Sequence, residues 1–349
     1  MAQEKYVAYV GTYTHENSIG IHVYDIDMEK GRLTERGVAP ISNPSNIVVA
    51  HSGKYLYSIE DEGVASFSID ENGDLTKINQ AWIGGMRACH VEIDSKDRYL
   101  FLAGFHDGKV TMMRLNEDGS IAGIADGIFH QGIGKSSVEK RMDPRVACTK
   151  LTPDEKYLCA VDWGLNQIKI YEIDYADGKL HLYDILRCPF SSAPRRICFS
   201  KDGKYAYVLE EATNIVEIYT YELHNGKPIF EKVADTSVQK KEDPLASGAA
   251  MEFAPDGKYL YVSLDGSNEV VCLVVGEDGR LSIECNAKIS GDYPKGIAIL
   301  PDNKTLVSLN HDSNEIRTFT IDHEKKCVLM KNPPLKVDKP NSIVIHKLV

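Results

Sequence analysis

Three short segments of this sequence set four basic side chains directly behind a proline: Arg145 in DPRV, Arg195 and Arg196 in APRR, and Lys295 in YPKG. Two segments with similar surroundings read NPSN (43–46) and RACH (87–90), the second ending on His90. A second group is rich in acids and imidazoles: Glu60–Asp61, GFHDG (104–108), DWG (162–164), Glu210–Glu211, LDG (264–266) and NHDS (310–313). It contributes Asp162, Glu211, Asp265 and His311. Guanidinium forks suit carboxylate and phosphate ligands, and carboxylates or imidazoles beside them could carry protons. An acid that follows a strand can equally be a turn former or an ion-pair partner. No HExxH spacing, GxSxG elbow, phosphate-binding loop or dinucleotide fingerprint occurs, so neither metal nor cofactor is expected.

What must position these residues is a repeat. FAPDGKYLYVSLDGSNEVVCLVV from Phe253 echoes FSKDGKYAYVLEEATNIVEIYTY from Phe199, LTPDEKYLCAVDWGLNQIKIYEI from Leu151 and ILPDNKTLVSLNHDSNEIRTFTI from Ile299. Earlier copies start near Val49 and Ile93. Each unit holds a short apolar run, an Asp-Gly type turn, a Tyr-rich alternating run, a polar loop, a third strand, a second turn and a weaker fourth strand. Asp and Gly supply the turn chemistry, and period-two alternation marks the strands. The unit is a four-stranded antiparallel meander, recurring every ~45–60 residues as in propeller blades.

The fold expected is all-β: one seven-bladed β-propeller domain over residues 1–349. The first unit begins at its second strand, KYVAYVGTY, and the chain ends on an orphan strand, NSIVIHKLV. Pairing the two closes the ring and removes open sheet edges. In such a ring the first strands line a central channel. Residues before each first strand and after each second strand then meet at one mouth, which gathers both groups of segments, while the Asp-Gly turns lie opposite.

YVGTYT, NPSN, Cys89–His90, DWG, PRR and the repeated PDGKYLYV resemble the seven-bladed propeller lactonase family, over essentially the whole chain. That family includes propeller-type 6-phosphogluconolactonases and carboxymuconate lactonizing enzymes. The resemblance implies cofactor-free hydrolysis of an anionic sugar lactone. It maps a family glutamate onto Glu211, a Pro-Arg onto Pro194–Arg195, and an Asp-x-Gly onto Asp162 and Gly164. Two family histidine positions read Arg145 and Ala147, another reads Arg196, an arginine reads Asp265, and the last Pro-Arg reads Pro294–Lys295. Lactone hydrolysis needs a base for water and positive charge near the developing oxyanion. Glu211 is expected to be the base, with His90 second, and Arg195 the oxyanion partner. Arg145, Arg196, Lys295, Asp162, Asp265 and His311 are expected to bind substrate. A noncatalytic sugar-acid or sugar-phosphate binding propeller, a diverged cyclase or isomerase, and a protein-interaction platform are the alternatives.

The formal net charge of −11 speaks against nonspecific nucleic-acid or membrane partners. No window approaches the ~18 apolar residues of a membrane span, and no secretory signal is visible. The eight cysteines lie apart, with no CxxC pair, which fits free thiols in a reducing cytoplasm. The expected partner is a small anionic sugar derivative, with the chain a monomer or weak dimer.

Overall fold

The computed structural model describes residues 4–132 and 143–348. All its regular structure is β, in seven antiparallel sheets. Blade 1 runs from the channel outward as Pro340–Lys347, Tyr6–Thr12, Gly20–Asp27 and Arg32–Pro40. Blade 2 is Ile47–Val49, Tyr55–Glu60, Gly63–Ile69 and Leu75–Trp82; blade 3 is His90–Ile93, Tyr99–Gly104, Lys109–Leu115 and Ile121–Phe129. Blade 4 is Val146–Leu151, Tyr157–Asp162, Gln167–Asp174 and Lys179–Arg187. Blade 5 is Pro194–Phe199, Tyr205–Glu210, Ile215–His224 and Lys227–Ser237. Blade 6 is Ser247–Phe253, Tyr259–Asp265, Glu269–Val275 and Leu281–Lys288. Blade 7 is Pro294–Ile299, Thr305–Asn310 and Glu315–Asp322, with an outer position split between Cys327–Met330 and Leu335–Lys336. Pro333 and Pro334 fall in that split and cannot donate to a ladder.

The innermost strands touch in blade order, and the seventh touches the first. The C-terminal strand closes the ring as expected, from Tyr6 opposite Lys347 to Thr12 opposite Pro340; Val349 lies outside the described residues. Second and third strands are covered on both faces and form the cores between blades.

Local chemistry explains the register. In the Asp-Gly turns, Oδ1 of Asp202, Asp256 and Asp302 accepts the amide of Lys204, Lys258 and Lys304 at 3.1, 2.9 and 2.8 Å. The residue between is Gly203, Gly257 or Asn303, at φ of +72°, +76° and +54°, a region that glycine and asparagine tolerate best. Tyrosines then fasten blade to blade. The hydroxyls of Tyr9, Tyr57 and Tyr207 donate to the carbonyls of Gly73, Gly119 and Gly279 in the outer turn of the next blade, at 2.8, 3.0 and 2.9 Å. Gly119 and Gly279 also lie under the rings of Tyr55 and Tyr205, where a Cβ would come within 2.2 and 2.4 Å of a ring carbon.

Candidate active site

Both expected groups of segments meet at one mouth, and a backbone irregularity aims the key side chains. On the inner strand of blade 5, Pro194 pairs with Glu210 and Arg196 with Leu209, so Arg195 is an extra residue in a β-bulge. On blade 7, Pro294 pairs with Asn310 and Gly296 with Leu309, which makes Lys295 the same kind of residue. Bulges re-aim side chains that strict alternation would send to opposite faces. Ala193 and Tyr293, two residues before them, have φ of +56° and +54°. Such conformations are strained for non-glycine residues and mark the mouth as a place where position is held at some energetic cost.

The central contact is between Arg195 and Glu211, Nη1 to Oε2 at 2.5 Å. The Trp163 indole donates to the same oxygen at 3.1 Å. Arg195 also donates from Nε to the Ala249 carbonyl at 2.8 Å and from Nη2 to the Tyr293 hydroxyl at 3.5 Å. Burial alone would lower the Arg195 pKa, but the Glu211 carboxylate outweighs it and holds the guanidinium firmly protonated. Among the described residues, Glu211 Oε1 makes no hydrogen bond, which leaves one carboxylate oxygen for a water or ligand.

Aromatic faces hold the neighbouring cations. The Arg145 guanidinium lies 5.3 Å from the Phe105 ring and 5.6 Å from the Trp163 ring. The Lys295 ammonium is 4.9 Å from the Tyr13 ring and 5.4 Å from that of Tyr293, while Arg87 stands 4.6 Å from Tyr13. Contacts thus run without a break from Arg145 through Trp163, Glu211, Arg195, Tyr293, Lys295 and Tyr13 to Arg87. Burial, then repulsion from Arg195 and Arg87, brings Lys295 down to about 8. Below the mouth the inner strands enclose a cavity of about 390 Å³ whose walls include His90, Arg196, Lys150, Glu92, Glu252 and Lys295. Lys150 is paired with Glu92 at 2.6 Å. Arg196 and Lys295 have no carboxylate within ion-pair distance among the described residues.

The imidazoles differ in what they offer. The Thr149 amide donates to His90 Nδ1 at 3.4 Å, and Nε2 faces the Cys148 sulfur at 3.8 Å. His90 is kept neutral by burial and by Arg196 and Lys150, with its lone pair already occupied, so it suits donation from Nε2 better than the base role expected of it. His311 Nδ1 donates to the Pro340 carbonyl at 3.2 Å, which leaves Nε2 as the acceptor. Burial, then Lys295, lowers His311 to about 4. Its ring stands edge-on to Tyr13 and Tyr293.

Asp162 departs from expectation. It is fully buried, accepts from the Arg145 and Leu165 amides at 2.9 and 3.0 Å, and accepts from His130 Nδ1 at 2.7 Å. Its bonds shape the DWG turn and tie it to His130, so Asp162 positions Trp163 and Arg145 and does not line the cavity. Asp265 is half-buried beside Tyr293, with Oδ1 accepting from the Gly266 amide at 2.7 Å. The GTYT and NPSN segments meet as a frame. Asn43 accepts from the Thr14 amide at 2.8 Å and donates to Asp61 at 2.8 Å. The residues missing from the expected set are Tyr13, Tyr293, Trp163 and Arg87. Each stands inside a segment singled out above, but nothing in its type reveals that it is a platform or a channel-facing cation.

A closed seven-bladed ring with a cationic, aromatic-lined mouth defines the class of protein. Residues 7–345 match the family described as Lactonase, 7-bladed beta-propeller, and the chain belongs to it. It is 30% identical over 328 residues to the 6-phosphogluconolactonase of Bacillus subtilis, covering 92% of each chain. It is also 30% identical over 334 residues to that of Formosa agariphila, covering 90% of this chain and 92% of the relative. The structure of the periplasmic gluconolactonase of Pseudomonas aeruginosa superposes with a TM-score of 0.91 at 25% identity, covering 99% of this chain and all of the other.

Proposed function

We propose that this protein hydrolyses an anionic sugar lactone, of the phosphogluconolactone kind, at the mouth of its channel. The observation that carries this is the pair of cations without an ion-pair partner, Arg196 and Lys295, on a small-molecule-sized cavity beside the Glu211–Arg195 pair. Half-buried cations that face a cavity without an ion-pair partner of their own leave room for an anion to complete them. The relatives' names supply the lactone.

The steps follow from the donors present. Glu211 takes a proton from water through its unused oxygen as that water adds to the lactone carbonyl. The carbonyl oxygen becomes an oxyanion beside the spare N–H groups of Arg195, whose orientation is fixed in advance by Glu211, Ala249 and Tyr293. The ring C–O bond then breaks, and the departing oxygen takes a proton from Lys295. The proton on Glu211 leaves to solvent and Lys295 is reprotonated, giving the open hydroxy acid. Arg196 holds the anionic group within the cavity, and the exposed Arg145 draws the anion to the rim. No metal or cofactor enters this scheme.

No helix of the described residues is long and apolar enough to cross a membrane. All eight cysteines are free, which supports the cytoplasm as the place of action. Each ring holds a complete mouth, so a single chain suffices. Replacing Glu211 by Gln keeps the shape and removes the proton acceptor. Lactone turnover should fall by ~10²–10⁴-fold, with binding of the hydroxy-acid product little changed. Near-full turnover by that variant would remove Glu211 from the mechanism and make His311 Nε2 the candidate base.

A further inference from the structure

The interface between blades 6 and 7, on the side of the ring carrying the outer turns, departs from the tyrosine–glycine fastening of blades 1–2, 2–3 and 5–6. Tyr261 occupies the strand position of Tyr57 and Tyr207, yet its buried hydroxyl has no hydrogen-bond partner. The matching turn of blade 7 reads DHEKK (322–326) and has no glycine for a tyrosine to meet. Where Tyr55 and Tyr205 cover turn glycines, Tyr259 instead stacks on His323, with centroids 3.6 Å apart and planes 11° from parallel. Around these rings the sequence has placed donors of a different kind.

Cys272 and Cys285 stand directly opposite each other across the outer ladder of blade 6. The register then slips: Leu273 pairs with Ile283, so Glu284 is the extra residue of a bulge. Its Oε2 lies 2.6 Å from His323 Nδ1 and 3.7 Å from Cys272 Sγ. One donor atom from each of Cys272, Glu284 and His323 lies within 4.8 Å of the other two. Cys285 lies outside that trio but opposite Cys272 in the ladder, and the Tyr261 hydroxyl faces the Cys272 sulfur.

We propose that Cys272, Glu284 and His323 bind a zinc-type divalent ion that joins blade 6 to blade 7, with the neighbouring Cys285 thiol turning in as the fourth ligand. Two thiols, an imidazole and a carboxylate are a donor set for a borderline-soft tetrahedral cation, and a poor one for calcium or magnesium. Spacing agrees. Zinc–ligand bonds of about 2.0–2.3 Å at tetrahedral angles separate sulfur and oxygen donors by about 3.6 Å, and nitrogen and oxygen donors by about 3.4 Å. The first separation is already present. The second requires the His323–Glu284 hydrogen bond to open by under an ångström as the metal replaces the shared proton. The His323 side chain is 26% exposed against 7% for Glu284, so an ion reaches the site from solvent through the imidazole. The site shares no residue with the mouth and needs no part of the lactonase mechanism.

The test uses the full-length, reduced, metal-stripped protein titrated with cobalt(II) as the probe. The expected result is one tight equivalent with intense tetrahedral visible bands and a sulfur-to-cobalt charge-transfer band. Zinc should displace it and raise the melting temperature. His323→Phe keeps the stack on Tyr259 and removes one ligand; it should weaken binding at least ~10–100-fold, the loss that even outer-shell partners cause. Cys285→Ser should diminish the charge-transfer band. A weak octahedral spectrum without a sulfur band overturns the proposal. So does binding that neither variant affects, or conversion of the two thiols to a disulfide with no metal uptake.

Discussion

Replacing Lys295 by Met should make the ligand-free protein more stable while making it a worse ligand binder. The ammonium is held at about 8 against an ordinary 10.5 by burial first, and then by Arg195 and Arg87. At pH 7 the group is charged in both folded and unfolded states. The folded state therefore bears nearly the full penalty, a shift from 10.5 to about 8 at about 1.4 kcal/mol per pH unit, or about 3.5 kcal/mol. Partial exposure of the side chain reduces this to about 1–3 kcal/mol. The sign with pH follows from linkage. Between about 8 and 10.5 the unfolded chain keeps the proton that the folded one has lost, so wild-type stability gains from this group as pH rises through that window. Met matches the stem in length and flexibility and removes the charge. At ~2 cal/mol/K of unfolding entropy per residue, the expected gain in melting temperature at pH 7 is about 1–4 °C. The difference from wild type should shrink toward zero near pH 10.5, and sugar-phosphate ligands should stabilise wild type much more than the variant. Calorimetry of both proteins at the two pH values, with and without 6-phosphogluconate, is the assay. A variant less stable than wild type at pH 7, or a difference independent of pH, would refute the reasoning.

Removal of residues 341–349 should expose the edge of Tyr6–Thr12 and produce aggregation or a large loss of stability, read by light scattering and thermal melting. Tyr207→Phe should cost about 1–2 kcal/mol in chemical denaturation, because it strands the Gly279 carbonyl between blades 5 and 6. The same change at Tyr261, whose hydroxyl has no partner, should cost less.

The fold was legible because its signals are local and repeated. An Asp whose side chain closes its own turn, as at Asp202 and Asp256, announces that turn in sequence. The unequal chain ends announced the closing strand in the same way. The mouth was legible at the level of segments, since topology alone brings the starts of inner strands beside the ends of second strands. Direction within a segment was not. Arg195 and Lys295 reach the channel through bulges, and a bulge is a property of two paired strands that neither shows alone. Asp162 looked like a site acid because its neighbours are site residues. Its carboxylate is consumed by two amides and His130, and His130 comes from a distant segment that no mouth pattern includes. Nor could Tyr13 or Trp163 be told from core aromatics, because stacking under a cation is a matter of placement.

The most direct test of the central claim is the rate of ring opening of 6-phosphoglucono-δ-lactone, measured against its spontaneous hydrolysis and against glucono-δ-lactone. Saturable turnover well above the spontaneous rate is expected. The phosphorylated substrate should be preferred by ~10–100-fold in kcat/KM, the value of one charge-assisted contact of ~1.5–3 kcal/mol. Hydrolysis of both lactones at no more than the spontaneous rate would contradict the lactonase reading, and equal turnover of the two would contradict the anion-holding role given to Arg196.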